Sequence, residues 1–158
     1  MTRLFFFFCF CFFLASCDNS RLYETNVEIE NNVWSLQQVP NFEYINSDTI
    51  SLQKLQVNVR HTSTYPFSNL WLLIHTKSPD NTQKTDTLEC VLAQKDGKWL
   101  GNGLGDIWDI EFDFDNRYFM QQGSYNFTIE QAMRHGDLSK IEHLPGIMEI
   151  GLRIEKSK

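Results

Sequence analysis

Apolar and polar residues alternate with a period of two through most of this chain, and that alternation sets its fold class. Successive side chains of a strand point to opposite faces, so such runs bury one face and wet the other. Leu55, Val57 and Val59 alternate with Gln56, Asn58 and Arg60, and Leu88, Cys90 and Leu92 alternate with Glu89 and Val91. Tyr125, Phe127 and Ile129 alternate with Asn126, Thr128 and Glu130, and Met148, Ile150, Leu152 and Ile154 with Glu149, Gly151 and Arg153. Leu70, Leu72 and Ile74, and the pair Phe112 and Phe114, extend the pattern. Turn-forming residues separate the runs, among them Ser78-Pro79-Asp80-Asn81, Asp115-Asn116, Gln121 to Gly123 and Leu144-Pro145-Gly146. Helical periodicity is nearly absent, so nothing is available to cover a parallel sheet. The expected fold is all-β, an antiparallel β-sandwich of jelly-roll or immunoglobulin-like character. One stretch breaks the alternation. Between Lys95 and Asp109, Gly97, Gly101, Gly103 and Gly105 surround Trp99 and Trp108, which reads as a long ordered loop pinned by its tryptophans.

The first residues stand apart from that domain. Met1-Thr2-Arg3 is a short positive segment and Leu4 to Leu14 an almost unbroken apolar run, too short to span a bilayer as a stable helix. Leu14-Ala15-Ser16-Cys17 then reads as a lipobox, with small residues for the lipoprotein signal peptidase and a thiol to receive the diacylglycerol thioether. The division expected is a cleaved leader over 1–16, a lipidated N-terminus and brief tether over 17–21, and a single domain over 22–158. Cleavage removes Arg3 and no acidic residue, taking the net charge from −6 to −7, a balance that argues against nucleic acid as a partner. Cys9 and Cys11 leave with the leader and Cys17 is acylated. Cys90 then remains alone, so no internal disulfide can form and the core must hold by burial. The membrane is met through the Cys17 lipid, as an anchor rather than a span.

Six short motifs, in this order, carry a family resemblance: Asn31-Asn32-Val33-Trp34, Thr87-Leu88-Glu89-Cys90, Gly97-Lys98-Trp99-Leu100-Gly101, Gly105-Asp106-Ile107-Trp108-Asp109, Ile129-Glu130-Gln131-Ala132-Met133-Arg134 and Leu144-Pro145-Gly146-Ile147. With the lipobox, they make the chain resemble the gliding-motility lipoprotein GldH family of the Bacteroidetes over essentially its whole length. The resemblance implies an accessory lipoprotein needed for gliding and for the type IX secretion machinery, with no catalytic site. It implies other gliding and secretion lipoproteins and outer-membrane components as partners. Surface-export tags in that phylum are acidic runs after the lipidated cysteine, and Cys17-Asp18-Asn19-Ser20 lacks one. The expected location is therefore the outer membrane, facing the periplasm.

The residues themselves point the same way on chemistry. No nucleophile elbow, zinc-binding His-Glu-x-x-His or phosphate loop is present, and His61, His75, His135 and His143 are scattered without ligand spacing. Asp106, Asp109, Asp113 and Asp115 invite a calcium site, but Ile107, Trp108 and Phe112 break the pattern such a loop needs. Neither metal nor cofactor is expected, and Cys90 reads as a buried, inert thiol. Contact sites are the better prospect: Trp71, Trp99, Trp108, Asp106 and Asp109 are candidate partner-binding residues. Trp71 is the best exposed candidate, because it faces away from Leu70 and Leu72. An aromatic platform of Trp71, Trp99, Trp108 and Tyr118 supports the alternative of a lipid-anchored carbohydrate-binding module. Asp48-Thr49-Ile50 and Asp86-Thr87-Leu88 are similar to an O-glycosylation acceptor of the Bacteroidetes, which makes Thr49 and Thr87 candidate glycan sites.

Overall fold

A computed structural model describes residues 20–137 and 139–157. The leader and Cys17 lie outside the described residues. Eleven strands form: β1 (Arg21–Glu28), β2 (Val33–Ser35), β3 (Asn41–Asn46), β4 (Leu52–Thr62), β5 (Asn69–Lys77), β6 (Gln83–Val91), β7 (Asn102–Leu104), β8 (Ile107–Tyr118), β9 (Gly123–Gln131), β10 (His143–Pro145) and β11 (Ile147–Lys156). No α-helix occurs among the described residues.

The eight long strands pair as one hairpin nested inside another. β1 runs antiparallel to β11, β3 to β9, β4 to β8 and β5 to β6. Wound on itself, this ladder makes one sheet of order β1-β11-β4-β8-β7 and another of order β3-β9-β5-β6, with β10-β2 as a separate ribbon. That order is a jelly roll, the first of the two sandwich architectures expected from the sequence. The core lies between the sheets. Leu55, Val57 and Val59 of β4 and Ile150, Leu152 and Ile154 of β11 face Leu70, Leu72 and Ile74 of β5 and Phe127 and Ile129 of β9, all fully buried or nearly so. The alternating runs read from the sequence are thus the inward faces of central strands.

The winding gives the sandwich two poles. One carries the entry to β1, the end of β11 and the turns β3–β4, β5–β6 and β8–β9. The other carries the longer connections, where Trp34 sits buried and donates its indole N–H to the Gln38 carbonyl at 2.8 Å. At that second pole Gly146 takes φ 87°, and a Cβ there would meet the Tyr65 Cα at 2.7 Å, so the close approach and the left-handed backbone both demand glycine.

Two expectations are corrected. Asp115-Asn116 is not a turn. β8 continues to Tyr118 and absorbs one extra residue at Phe114, since Leu55 opposes Asp115 and Gln56 opposes Asp113. Nor is Lys95 to Asp109 a long loop. Asn102, Gly103 and Leu104 pair with Asp109, Trp108 and Ile107 in a tight hairpin, and Ala93 bridges Trp99. The alternation of Trp108, Ile110 and Phe112 against Asp109, Glu111 and Asp113 is that of a strand, and the glycines serve the hairpin and its close packing.

Candidate functional site

β5 places Trp71 on the outer face of the four-stranded sheet, because Leu70 and Leu72 on either side of it are the residues pulled into the core. The indole is 38% exposed. It lines a groove of about 650 Å³ together with Phe67, Leu73, Ala132, Met133 and His135. The groove is built where β9 ends. After Gln131, which still pairs with Leu72, the chain leaves the ladder. The Ala132 N–H then donates to the Trp71 carbonyl at 2.8 Å, and the Trp71 N–H to Met133 Sδ at 3.2 Å. The 132–135 segment thereby forms a wall beside the indole instead of extending β9. Phe67 and His135 face each other across the groove, ring centroids 5.7 Å apart.

Polar groups border this apolar floor. Glu89 on β6 lies directly opposite Trp71 and accepts a 2.6 Å hydrogen bond from the Asn69 amide, while Thr87 lies opposite Leu73. Glu130, also opposite Leu73 across the other ladder, reaches His75 Nε2 at 3.6 Å. Arg134 completes the lining with a cation. An aromatic floor inside a polar border is the layout of a contact patch, whose floor drives desolvation and whose border orders the approach.

The other candidate residues do not join Trp71. Trp99 is half-buried at the far pole, its ring 4.7 Å from that of His61. Trp108 is half-buried beneath β7, where a Cβ on Gly103 would sit 2.7 Å from the indole, so glycine there lets the two strands close over the ring. Tyr118 lies at the opposite pole, at the end of β8. The four aromatics therefore do not form one platform. Asp106 is exposed in the β7–β8 turn and accepts from the Ser63 hydroxyl at 3.2 Å. Asp109 is held by Arg60 at 2.6 Å, and the same guanidinium binds Glu149 at 2.6 Å. These two pairs sit in a polar cavity of about 410 Å³ on the outer face of the five-stranded sheet, which Glu24, Asn58 and Glu111 also line. Asp113 and Asp115, the other two aspartates weighed for calcium, are likewise paired with cations, Asp113 with Lys54 and Asp115 with Arg117 and Lys84. Thr49 is half-buried in the β3–β4 turn, and Thr87 is exposed on β6 at the edge of the Trp71 groove.

Cys90 and His61 are turned inward. Burial, with the charge of Glu89 behind it, pushes the Cys90 thiol far above its ordinary range. His61 is fully buried on β4 and burial lowers its pKa, opposed by the Thr62 carbonyl and the charge of Asp109. Its Nδ1 faces the Thr62 carbonyl at 3.0 Å and its Nε2 has no partner among the described residues. Trp34 is the motif tryptophan that is truly buried; sequence reasoning places it in the Asn31-Asn32-Val33-Trp34 motif but not among the candidate site residues, and it follows Val33 and two asparagines in left-handed backbone, Asn31 (φ 54°) and Asn32 (φ 55°).

Comparison with known proteins supplies what geometry does not. The GldH lipoprotein family profile matches residues 21–154. A "Gliding motility lipoprotein GldH homolog" from Christiangramia forsetii is 37% identical over 145 residues, covering 90% of this chain and 88% of its own. The "Gliding motility lipoprotein GldH" of Flavobacterium johnsoniae is 33% identical over 144 residues, covering 90% of this chain and 89% of its own. Among solved structures, a chain of an infectious bursal disease virus particle aligns with 89% of this chain and 32% of its own, at 17% identity and a TM-score of 0.40, too distant to build on.

Proposed function

Because the chain belongs to the GldH lipoprotein family, we propose that it is a membrane-anchored, non-catalytic accessory protein that supports gliding motility and the type IX secretion machinery by docking a protein partner. The lipid on Cys17 holds it to the outer membrane on the periplasmic side, and its partners are other gliding or secretion lipoproteins and outer-membrane components. The observation that carries the docking role is the Trp71 groove, where a large aromatic side chain stands in an apolar depression bordered by Glu89, Glu130 and Arg134. A cell-envelope protein gains nothing in folding from leaving that surface wet, whereas a partner that covers it gains a hot-spot anchor. The non-catalytic reading is supported by the burial of Cys90 and His61, which leaves neither side chain at a surface where a substrate can reach it.

Trp71→Ala tests the reading. The side chain is on the outer face, so the variant is expected to fold and stay membrane-bound while losing co-purification of its partner and the motility or secretion that depends on it. Full partner recovery and full motility in this variant would refute the assignment. A second reading rests on the Asn69–Glu89 hydrogen bond beside the indole, since an aromatic face flanked by an amide and a carboxylate also suits a sugar ring. Saturable glycan binding by the wild type, lost in Trp71→Ala with protein partners retained, would favour that carbohydrate-binding role instead.

A further inference from the structure

Four of the five apolar or tyrosine side chains more than half exposed among the described residues gather at the pole where the chain enters the fold; the fifth, Leu104, stands alone in the β7–β8 hairpin at the other pole. Ile50, at the tip of the β3–β4 turn, is 86% exposed, and Met120, in the β8–β9 turn, is 79% exposed. Tyr118, at the end of β8, and Ile45, near the end of β3, are 54% and 64% exposed and flank these two tips on the outer faces of opposite sheets.

This pole is rigid. Asp48 accepts the backbone N–H groups of Ile50 and Ser51 at 3.0 and 2.9 Å and pairs with Lys156 at 3.1 Å, so the turn that presents Ile50 is tied to the last strand. The Asn46 amide donates to the Gln121 carbonyl at 2.9 Å, which ties the same turn to the one that carries Met120. Gln53, fully buried, donates to the Asp48 carbonyl at 3.0 Å and to Asn46 Oδ1 at 3.1 Å from below. The apolar tips are therefore held outward by hydrogen-bonded backbone.

The place where the chain enters says what these tips face. The Ser20 carbonyl accepts the Lys156 N–H at 2.8 Å, which fixes residue 20 at this pole. Cys17 lies three residues earlier, and three residues reach at most about 11 Å even when fully extended. A lipidated Cys17 thus holds the bilayer surface within about that distance of Ser20, on the pole that presents Ile50, Met120, Tyr118 and Ile45. Apolar and tyrosine side chains set beside a headgroup layer bury into the boundary between headgroups and acyl chains. We infer that this pole is a membrane-seating surface: Ile50 and Met120 insert into the lipid interface, with Tyr118 and Ile45 at its rim. The occupant is the phospholipid surface to which the chain is tethered. The domain then stands upright, with the β7–β8 hairpin farthest from the lipid. The inference rests on the lipoprotein reading of Cys17 and goes beyond it, because a lipid anchor alone leaves the domain free to tumble.

The test uses the full lipidated protein in vesicles of phosphatidylethanolamine and phosphatidylglycerol with acyl-chain quenchers. Ile50→Cys, Met120→Cys and Leu104→Cys variants each carry an environment-sensitive dye. Cys90 is buried and stays unlabelled, and Leu104, 86% exposed in the hairpin at the opposite pole, is the control. Dyes at 50 and 120 are expected to shift to the blue and be quenched several-fold more than the dye at 104. Mass measurement of the N-terminal peptide reports the lipid on the same samples. Lipid present with dyes at 50 and 120 as wet as at 104 overturns the seating surface and leaves the lipoprotein reading intact. Absence of lipid on Cys17 overturns both. As a second arm, Ile50→Asp combined with Met120→Asp is expected to stay folded and lipidated while protease cleavage of the β3–β4 turn on vesicles rises several-fold. Unchanged protection would refute the inference.

Discussion

Trp34 and His61 show how single residues carry the energetics of the far pole. Trp34 is 1% exposed with its indole N–H satisfied, so truncation removes both a large packed volume and a hydrogen bond. Trp34→Ala is expected to cost about 3–5 kcal/mol, measured by urea denaturation, while Trp108→Ala, half-buried under β7, costs no more than about half of that. His61 has a pH signature. Its folded pKa lies below that of the unfolded chain, because burial penalises the imidazolium. In the window between the two values the unfolded state binds more protons, so the stability present above about pH 6.5 is lost as pH falls below it, with a slope of at most about 1.4 kcal/mol per pH unit. His61→Phe, which keeps an aromatic ring beside Tyr65 and Trp99, is expected to flatten that slope in denaturation curves taken between pH 7.5 and 5.

The strand edges raise a different problem, since each unpaired edge is a template for unwanted pairing. β6 borders the four-stranded sheet, and its exposed length is guarded by charges that reach across to the other sheet. Arg117 of β8 pairs with Asp86 of β6 at 3.2 Å and with Asp115, and Lys84 of β6 holds Asp86 at 2.9 Å and Asp115 at 3.3 Å. The bulge at Phe114 makes this clasp available, because it shifts β8 by one residue and turns Asp115 and Arg117 to the side that Leu55 and Gln53 occupy on β4. Burial pushes the Asp115 carboxyl up, but the charge and hydrogen bond of Arg117, with Lys84, outweigh it and hold the pKa below the ordinary range. The contribution of Asp115 is therefore present above about pH 4 and lost as pH falls through its lower folded value. Arg117→Ala is expected to destabilise the domain by about 1–2 kcal/mol at neutral pH, and by less in high salt, because the network is partly solvent-exposed. Thermal melts at two salt concentrations check this.

On the scale of the whole molecule, the nested hairpin separates three surfaces. The pole holding β1's entry carries the exposed apolar tips, the outer face of the four-stranded sheet carries the Trp71 groove, and the outer face of the five-stranded sheet carries the Arg60 cavity with its carboxylates. A domain seated on lipid by the first keeps the second open to a partner alongside.

Much of this was legible in the chain before folding. Period two along Leu55–Val59, Tyr125–Ile129 and Ile150–Ile154 determines strands with one buried face, because only the inward set can leave water without stranding polar groups. The same parity put Trp71 outside, since Leu70 and Leu72 could not both be buried with it. Other features depended on contacts between distant residues. Whether Asp115-Asn116 turns or continues depends on a bulge opposite Leu55. Whether the glycines near Trp108 form a loop or a hairpin depends on β8 pairing with β4. The Trp71 groove needs the 132–135 segment to leave the ladder beside β5, and the apolar pole needs the β3–β4 and β8–β9 turns to be brought beside the start of β1 and the end of β11. Local alternation is written in neighbours along the chain, whereas a surface is assembled from residues as far apart as Glu24 and Glu149, and only the closed sandwich decides which of them meet.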